Sequence, residues 1–187
     1  IDIAYQGFAD GIDDDALAVQ LFAASGQSFL VASSFSKSFS LYGERVGALS
    51  VVTASRDESA RVLSQIKRIV RTNYSNPPTH GGAIVAAVLA NAEWRRIWEE
   101  ELGQMRQRIL SMRLGLVERL QNKGVAADFS FIVRQRGMFS YTGLSTAQVD
   151  RLRDEFGIYA VSSGRICLAA LNNGNIDYVA EAIAGVL

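Results

Sequence analysis

The longest regular feature of the sequence is an amphipathic stretch from about Glu93 to Asn122. Apolar residues recur along it at the spacing of 3.6 residues per turn that is typical of one helix face. A helix of this length extends roughly 45 Å at 1.5 Å per residue, which exceeds the width of a small compact domain. The sequence therefore predicts a helix that can bridge two domains. Its apolar positions are Trp94, Ile97, Trp98, Leu102, Met105, Ile109, Met112, Leu116 and Leu120.

The residues before the long helix predict an α/β arrangement. A helical segment with the acidic start Asp13-Asp14-Asp15 separates two apolar runs, so the strands formed by these runs are expected to be parallel. Their apolar composition predicts that both strands are buried. The predicted strands are residues 1–5, 29–35 and 45–53, and the predicted helices are residues 13–26, 57–71 and 83–89.

The residues after the long helix have a different pattern, with short apolar runs between turn residues. This pattern predicts an α+β region. Ser145 or Thr146 is expected to cap the first of its helices. The predicted strands are residues 131–133, 138–141, 158–161 and 166–169, and the predicted helices are residues 145–156 and a last one from about residue 176.

Composition excludes several classes of function. Lysine plus arginine (19) equals aspartate plus glutamate (19), so the chain has no net charge to attract nucleic acid or anionic lipid. No apolar run approaches the roughly 20 residues of a membrane span. The single cysteine, Cys167, is too little sulfur for a structural zinc site and favours a reducing compartment. We therefore expect a cytoplasmic protein without a metal, membrane or nucleic-acid partner.

Lys37 is the only charged residue between Asp15 and Glu44, in a chain with 3 lysines and 16 arginines. It follows a predicted buried strand and lies among serine and phenylalanine residues. A lysine that is partly desolvated there would offer free amine as a nucleophile or base. The alternative is a strand-end lysine whose ammonium group extends to water.

The segment around Lys37 reads SFSKSFSLYGERVG at positions 34–47. It resembles the segment that carries the cofactor-linked lysine in class I aminotransferases, which are pyridoxal-phosphate enzymes of fold type I. The resemblance rests on a serine three residues before the lysine and an arginine eight residues after it, followed by Val46-Gly47. It covers essentially the whole chain and implies pyridoxal 5'-phosphate as cofactor.

The resemblance also implies roles for the cofactor-binding residues. Lys37 would condense with the cofactor aldehyde, and Ser34 and Arg45 would hold the cofactor phosphate. In the segment DIAYQGF at positions 2–8, Asp2 would pair with the pyridine nitrogen and Tyr5 would meet the phenolic oxygen. From the residues alone, Asp2 is equally a terminal cap or a buried acid that needs a partner.

Three further residues match substrate-binding positions of the family. Arg165 resembles the arginine that holds the substrate α-carboxylate, although an arginine that opens a strand is more often a surface cation. Arg71 resembles the arginine that reaches from one subunit into its neighbour's site and pairs with a side-chain carboxylate; the alternative is a helix C-terminal cation. Phe139, in GMFS at positions 137–140, is either a pocket residue or a plain core residue.

The resemblance implies the C-terminal part of a PLP-dependent transferase fold of the α/β class. Residues 1–100 would belong to the large cofactor domain and residues 101–187 to the small α+β domain, joined by the helix at about 93–122. It also implies a homodimer with a shared site, and amino acids and 2-oxo acids as substrates.

The segments 40–43 and 135–143 look closer to the aromatic amino acid aminotransferases than to the aspartate aminotransferases. We therefore expect transfer from tyrosine or phenylalanine, and also aspartate, to 2-oxoglutarate. The alternatives are an aspartate aminotransferase, or an inactive C-terminal fragment, because the chain resembles only the second half of the family.

Overall fold

The computed structural model describes all residues from Ile1 to Leu187. The chain divides into two compact units. The first contains Ile1–Gly7 and Gly11–Gly103, and the second contains Phe8–Asp10 and Gln104–Leu187. None of the helices is both long and apolar enough to cross a membrane.

Seven α-helices and five short strands form the regular structure. The strands are β1 (Asp2–Ile3), β2 (Phe29–Ser34), β3 (Gly47–Val52), β4 (Phe139–Tyr141) and β5 (Arg165–Cys167). The helices are α1 (Leu17–Ala24), α2 (Arg56–Asn73), α3 (His80–Ala90), α4 (Ala92–Asn122), α5 (Phe131–Arg134), α6 (Thr146–Phe156) and α7 (Ile176–Val186). Single 3-10 turns occur at Asp14–Ala16 and Leu168–Ala170.

The first unit is built on the sheet β1-β2-β3. The parallel pairing predicted for the first two strands is confirmed, with Asp2 opposite Ala32, whereas β3 runs antiparallel to β2. The predicted burial of the first strand is wrong, because Ile1 and Asp2 are exposed. Within β2, Phe29 and Val31 are buried and Leu30 is exposed, so only one face of this sheet is covered by the chain.

The predicted long helix is confirmed as α4, which covers both the last residues of the first unit and the first residues of the second. Its start is fixed by Asn91, because the Asn91 Oδ1 atom accepts hydrogen bonds from the backbone N–H groups of Glu93 and Trp94, both at 3.0 Å. An asparagine side chain in this position satisfies amide groups that have no partner within the helix.

The second unit contains most of the apolar core, built from α4, α6, α7 and the two-stranded sheet β4-β5. Helix α6 begins with a capping box. Ser145 accepts from the Gln148 backbone N–H and the Gln148 side chain accepts from the Ser145 backbone. Gly157 ends the helix in the left-handed conformation, at a φ of 64°. The caps explain why this helix follows the sequence prediction closely.

The strand predicted at residues 131–133 is wrong, since this segment forms the helical turn α5. The apolar, partly β-branched sequence favours a strand, but the Asp128 carboxylate accepts hydrogen bonds from both the N–H and the hydroxyl of Ser130. These bonds hold the pKa of Asp128 below its usual range and start a turn just before Phe131.

The strand predicted at residues 158–161 is also wrong, because no strand of the chain pairs with this segment. Its backbone instead bonds locally: Ile158 N donates to Leu152 O, and Val161 N donates to Arg165 O. The strand predicted at residues 166–169 is present as β5, but it begins one residue earlier, at Arg165, and is followed by a 3-10 turn that starts at Leu168. Arg165 is therefore part of a strand rather than of the preceding loop.

Candidate functional site

Lys37 lies in the turn after β2, half-buried between two tyrosine rings. Its Nζ atom is 4.6 Å from the centroid of the Tyr42 ring and 5.5 Å from that of Tyr5. Aromatic faces attract an ammonium group without compensating its charge as a carboxylate does. Lys37 forms no ion pair. The two rings therefore hold its amino group in place, and no carboxylate competes for it.

The pairing of β2 with β3 brings the Ser34 and Arg45 segments together. Ser34 lies opposite Gly47, and the Phe35 N–H donates to Val46 O at 3.2 Å. The Ser34 Oγ atom accepts from the Ser36 N–H at 3.2 Å, which leaves its own hydroxyl proton free to be donated. Both residues therefore lie at one end of the sheet, next to the turn that carries Lys37.

Arg45 has an unusual backbone conformation for its residue type, with a φ of 53°. Its Nη1 atom donates to Tyr42 O at 3.1 Å, which folds the segment 42–45 onto itself. The guanidinium group keeps further N–H donors and is exposed, so it can bind a phosphate oxygen.

Two glycines allow the close packing around Arg45. A Cβ atom on Gly47 would lie 2.6 Å from Ser33 O, and one on Gly81 would lie 2.9 Å from the Glu44 Cβ atom. The Glu44 carboxylate also pairs with His80 Nδ1 at 3.0 Å. No sequence pattern singles out Gly81; only the tertiary contact shows that α3 supports the Arg45 loop.

Helix α4 also contacts the turn that carries Lys37. The Trp98 indole N–H donates to Ser38 O at 2.6 Å, and its ring stacks on Phe39 with centroids 4.6 Å apart. Phe39 in turn meets Phe35 edge to face. A cavity of about 240 Å³ lies here, with Ser34, Ser38 and Trp98 in its wall. The sequence places Trp98 on the apolar face of the long helix, but it does not show that Trp98 holds the turn that carries Lys37.

The remaining two residues that the sequence predicted to bind the cofactor lie on or just after β1. Asp2 is exposed and opposite Ala32, and Tyr5 is the half-buried residue whose ring faces Lys37. The parallel pairing of β1 with β2 thus places both segments that resemble the cofactor-binding motif side by side.

In the second unit, Arg165 and Phe139 lie together on the β4-β5 sheet. The guanidinium carbon of Arg165 is 4.9 Å from the Phe139 ring centroid, and Arg165 pairs in register with Tyr141. Gly164 adopts a φ of 83°, and a Cβ atom there would lie 2.7 Å from Leu144 O. Arg165 and Phe139 also line a largely apolar cavity of about 530 Å³. A planar cation beside an aromatic ring is suited to a carboxylate attached to an apolar group.

Arg71 lies in the last turn of α2, where its Nη1 atom donates to Ser75 Oγ. It is exposed, as is every residue from 71 to 80. Arg71 therefore has no place in the Lys37 cluster of this chain, and its position suits a contact with a molecule outside the chain.

A family profile described as aminotransferase class I and II matches residues 1–183. The chain belongs to this family. It is 67% identical over its whole length to an aspartate aminotransferase of Pseudomonas aeruginosa, of which it covers 47%. The chain thus spans about half the length of the curated relatives it matches.

Solved structures of the family superimpose closely on the chain. An aromatic-amino-acid aminotransferase from Burkholderia pseudomallei, covalently bound to pyridoxal phosphate, matches with a TM-score of 0.97 and 71% identity, covering 100% of this chain and 47% of that one. A psychrophilic aromatic amino acid aminotransferase from Psychrobacter sp. B6, cocrystallised with aspartic acid, matches with a TM-score of 0.96 and 49% identity over 99% of this chain and 46% of that one. The mixed α/β fold of the chain is therefore that of about half of a PLP-dependent transferase.

Proposed function

We propose that the full-length protein carrying this sequence is a pyridoxal-phosphate-dependent aminotransferase. It transfers the amino group of tyrosine or phenylalanine, and also of aspartate, to 2-oxoglutarate. The observation that carries the proposal is the cluster around Lys37, whose amine has aromatic neighbours, no carboxylate partner and phosphate-binding side chains at the adjacent strand ends. In this proposal residues 1–100 belong to the cofactor domain and residues 101–187 to the small domain.

The donor groups of the first unit suit pyridoxal 5'-phosphate. When bound, this cofactor supplies an aldehyde that condenses with an amine and a ring that accepts electrons as a substrate proton leaves. Lys37 provides the amine, and Ser34 and Arg45 donate to the phosphate. Asp2 provides a carboxylate for the ring nitrogen, and the Tyr5 hydroxyl donates to the phenolic oxygen.

Lys37 acts a second time as a base. With cofactor and substrate bound, the free amine of Lys37 would take the proton from the substrate α-carbon and hold it for return to the product. The faces of Tyr5 and Tyr42 keep the amino group near this position.

Arg165 binds the substrate α-carboxylate and Phe139 lines the pocket beside it. The 4.9 Å contact between them holds the guanidinium group against the ring, and the N–H groups along its edge remain for a bidentate carboxylate. Arg71 acts on the neighbouring subunit of a homodimer, where it pairs with the side-chain carboxylate of a dicarboxylic substrate. Its exposed position in α2 supports this role.

The substrate preference is supported by relatives of both kinds. An aromatic aminotransferase among them was crystallised with aspartic acid, which supports a site that accepts both substrate classes. The second candidate is an aspartate aminotransferase, favoured by the 67% identity with the Pseudomonas aeruginosa enzyme. An inactive fragment is the third, favoured by the 47% coverage of that relative.

The cofactor assignment is tested by titrating the protein with pyridoxal phosphate, reducing it with borohydride and mapping the labelled peptide. We expect the label on Lys37 and an absorption spectrum that responds to tyrosine. Label on Lys67 or Lys123 would contradict the site. The same experiment on the 187-residue chain and on the full-length protein tests the fragment hypothesis. That hypothesis predicts specific labelling and turnover in the full-length protein only.

The substrate assignment is tested by comparing kcat/KM for tyrosine and aspartate with 2-oxoglutarate as acceptor. Turnover of both, with tyrosine at least equal to aspartate, is the expected result. Turnover of aspartate alone would replace the proposal with the aspartate-specific alternative. The cytoplasmic location stays a prediction from composition.

A further inference from the structure

Arg113 is a buried arginine without an acidic partner. It lies on α4 within the second unit and is 2% exposed, yet it forms no ion pair. Burial, and then the charge of Arg136, lower the pKa of Arg113. A charge in such a place is costly unless its hydrogen bonds are well satisfied, so the structure must compensate for it with other acceptors.

All of the acceptors of Arg113 come from one short segment, residues 132–140. Its Nη1 atom donates to Ile132 O at 3.0 Å and to Ser140 Oγ at 2.5 Å, and its Nη2 atom donates to Gly137 O at 2.6 Å. Hydrogen bonds from a charged donor are shorter and stronger than neutral ones. One guanidinium group therefore fixes α5, the loop after it and the middle of β4.

The residue that Arg113 holds in β4 lies next to Phe139. Because side chains alternate along a strand, Ser140 faces Arg113 while Phe139 and Tyr141 face the other side. Burial follows this alternation: Ser140 is buried, Phe139 is half-buried and Tyr141 is exposed. Arg113 therefore fixes the position of β4 from the face opposite to the Phe139 side chain.

The same strand also sets the position of Arg165. Tyr141 pairs with Arg165 and Phe139 with Cys167 in the antiparallel ladder. A shift of β4 would move the Phe139 ring and, through the ladder, the start of β5. The segment fixed by Arg113 thus carries one substrate-binding side chain and pairs with the strand that carries the other.

We propose that Arg113 is a positioning residue for the carboxylate-binding site, acting through Ser140 and the Ile132 and Gly137 carbonyls on Phe139 and Arg165. The inference rests on the proposed function, since it assigns to Arg113 the support of that same substrate site. It does not involve the cofactor, whose residues lie in the other unit.

The test compares Arg113→Lys with Arg151→Lys in the full-length protein loaded with pyridoxal phosphate. Lysine keeps the charge but loses the planar fork. Arg151 is the matched control, because it also donates to backbone carbonyls, those of Gly185 and Val186, but outside residues 132–141. Thermal unfolding is measured for both, so that loss of stability is separated from loss of positioning.

For Arg113→Lys we expect KM for amino acids and for 2-oxo acids to rise about ten-fold, the size of one charged hydrogen bond. The inhibition constant of succinate, a dicarboxylate that does not react, should rise with it. Bound cofactor and its absorption spectrum should stay unchanged. Arg151→Lys should leave KM within about two-fold of wild type, even if its Tm falls by as much as that of Arg113→Lys.

Ser140→Ala provides a second variant if Arg113→Lys does not fold. It removes one acceptor with little change in volume and should raise KM by a smaller factor in the same direction. Unchanged KM and succinate inhibition in these variants, or an equal rise in Arg151→Lys at equal Tm, would overturn the positioning role while leaving wild-type transamination intact. Absence of turnover in wild type itself would instead overturn the proposed function, and this inference with it.

Discussion

The two units of this chain differ in how much of their own surface they bury. In the first unit the buried apolar side chains are Phe29, Val31, Val85 and Leu102, and α2 has none. The second unit has buried side chains on α4, α6 and α7, including Leu116, Leu152 and Ile183. Burial of apolar area is the main stabilising contribution to folding. The second unit therefore gains more stability from burial within this chain than the first, which carries the proposed cofactor site.

The chemistry, in contrast, should depend most on the first unit. In the full-length protein, Lys37→Ala should lower kcat by more than about 10³-fold, because it removes both the nucleophile and the base. Circular dichroism and Tm should match wild type. The control is Lys67→Ala, an exposed lysine on α2. Comparable activity in both variants would mean that Lys37 is not the catalytic lysine.

The difference in burial predicts a difference in sensitivity to truncation. Leu116→Ala, at a site that is 0% exposed, should lower the free energy of unfolding of the chain by about 2–5 kcal/mol. Leu63→Ala on α2, where the leucine is 51% exposed, should change it by less than about 0.5 kcal/mol. Urea unfolding of the 187-residue chain measures both. Equal losses would show that the first unit is as well packed as the second.

The two arginines proposed to bind substrate lie in different units and should affect different sets of substrates. Arg165→Ala should lower kcat/KM for aromatic and dicarboxylic substrates alike, by roughly 10- to 100-fold, which is the size of a charged hydrogen bond. Arg71→Ala should lower it by a similar factor for aspartate only. Steady-state kinetics with tyrosine and aspartate test both variants. Equal losses for the two substrates in Arg71→Ala would exclude its role in recognising a side-chain carboxylate.

The smallest effect is expected at two adjacent glycines of α3. The Cβ atom of Gly81→Ala would crowd Glu44 and Val46 at 2.9–3.1 Å, which should cost about 1–3 kcal/mol and displace the Arg45 loop. Gly82 has open space around it, so Gly82→Ala should be neutral or stabilising by up to about 1 kcal/mol. Tm and the dissociation constant for pyridoxal phosphate measure the two effects. Weaker cofactor binding in Gly82→Ala than in Gly81→Ala would contradict this account.

The elements with strong local signals could be predicted from the sequence. The long helix α4, the capped helix α6 and the parallel pairing of β1 with β2 follow from periodicity, capping residues and the order of elements. The two failures, at residues 131–133 and 158–161, are short apolar runs. In such runs an Asx turn at Asp128 or the absence of a pairing strand outweighs the β propensity of the side chains.

The candidate site divides in the same way. The isolation of Lys37 made it a candidate, and the resemblance to the aminotransferase family added Ser34, Arg45, Asp2 and Tyr5 as candidates, because these residues lie in short sequence motifs. The sequence could not identify Gly81, Trp98 or Arg113 as supports of the site. Each of these acts through a contact with a residue at least 19 positions away, and such a contact leaves no local pattern.

By itself, the sequence determined the residue types that can do the chemistry and the helices and strands on which they lie, since both depend on local spacing. The tertiary structure decided how these residues are held. It placed the Tyr5 and Tyr42 rings around Lys37, packed α3 against the Arg45 loop and anchored the Phe139 strand to Arg113. The reason is that burial and hydrogen-bond satisfaction are properties of the whole packed chain, whereas motifs and periodicity are properties of a few neighbouring residues.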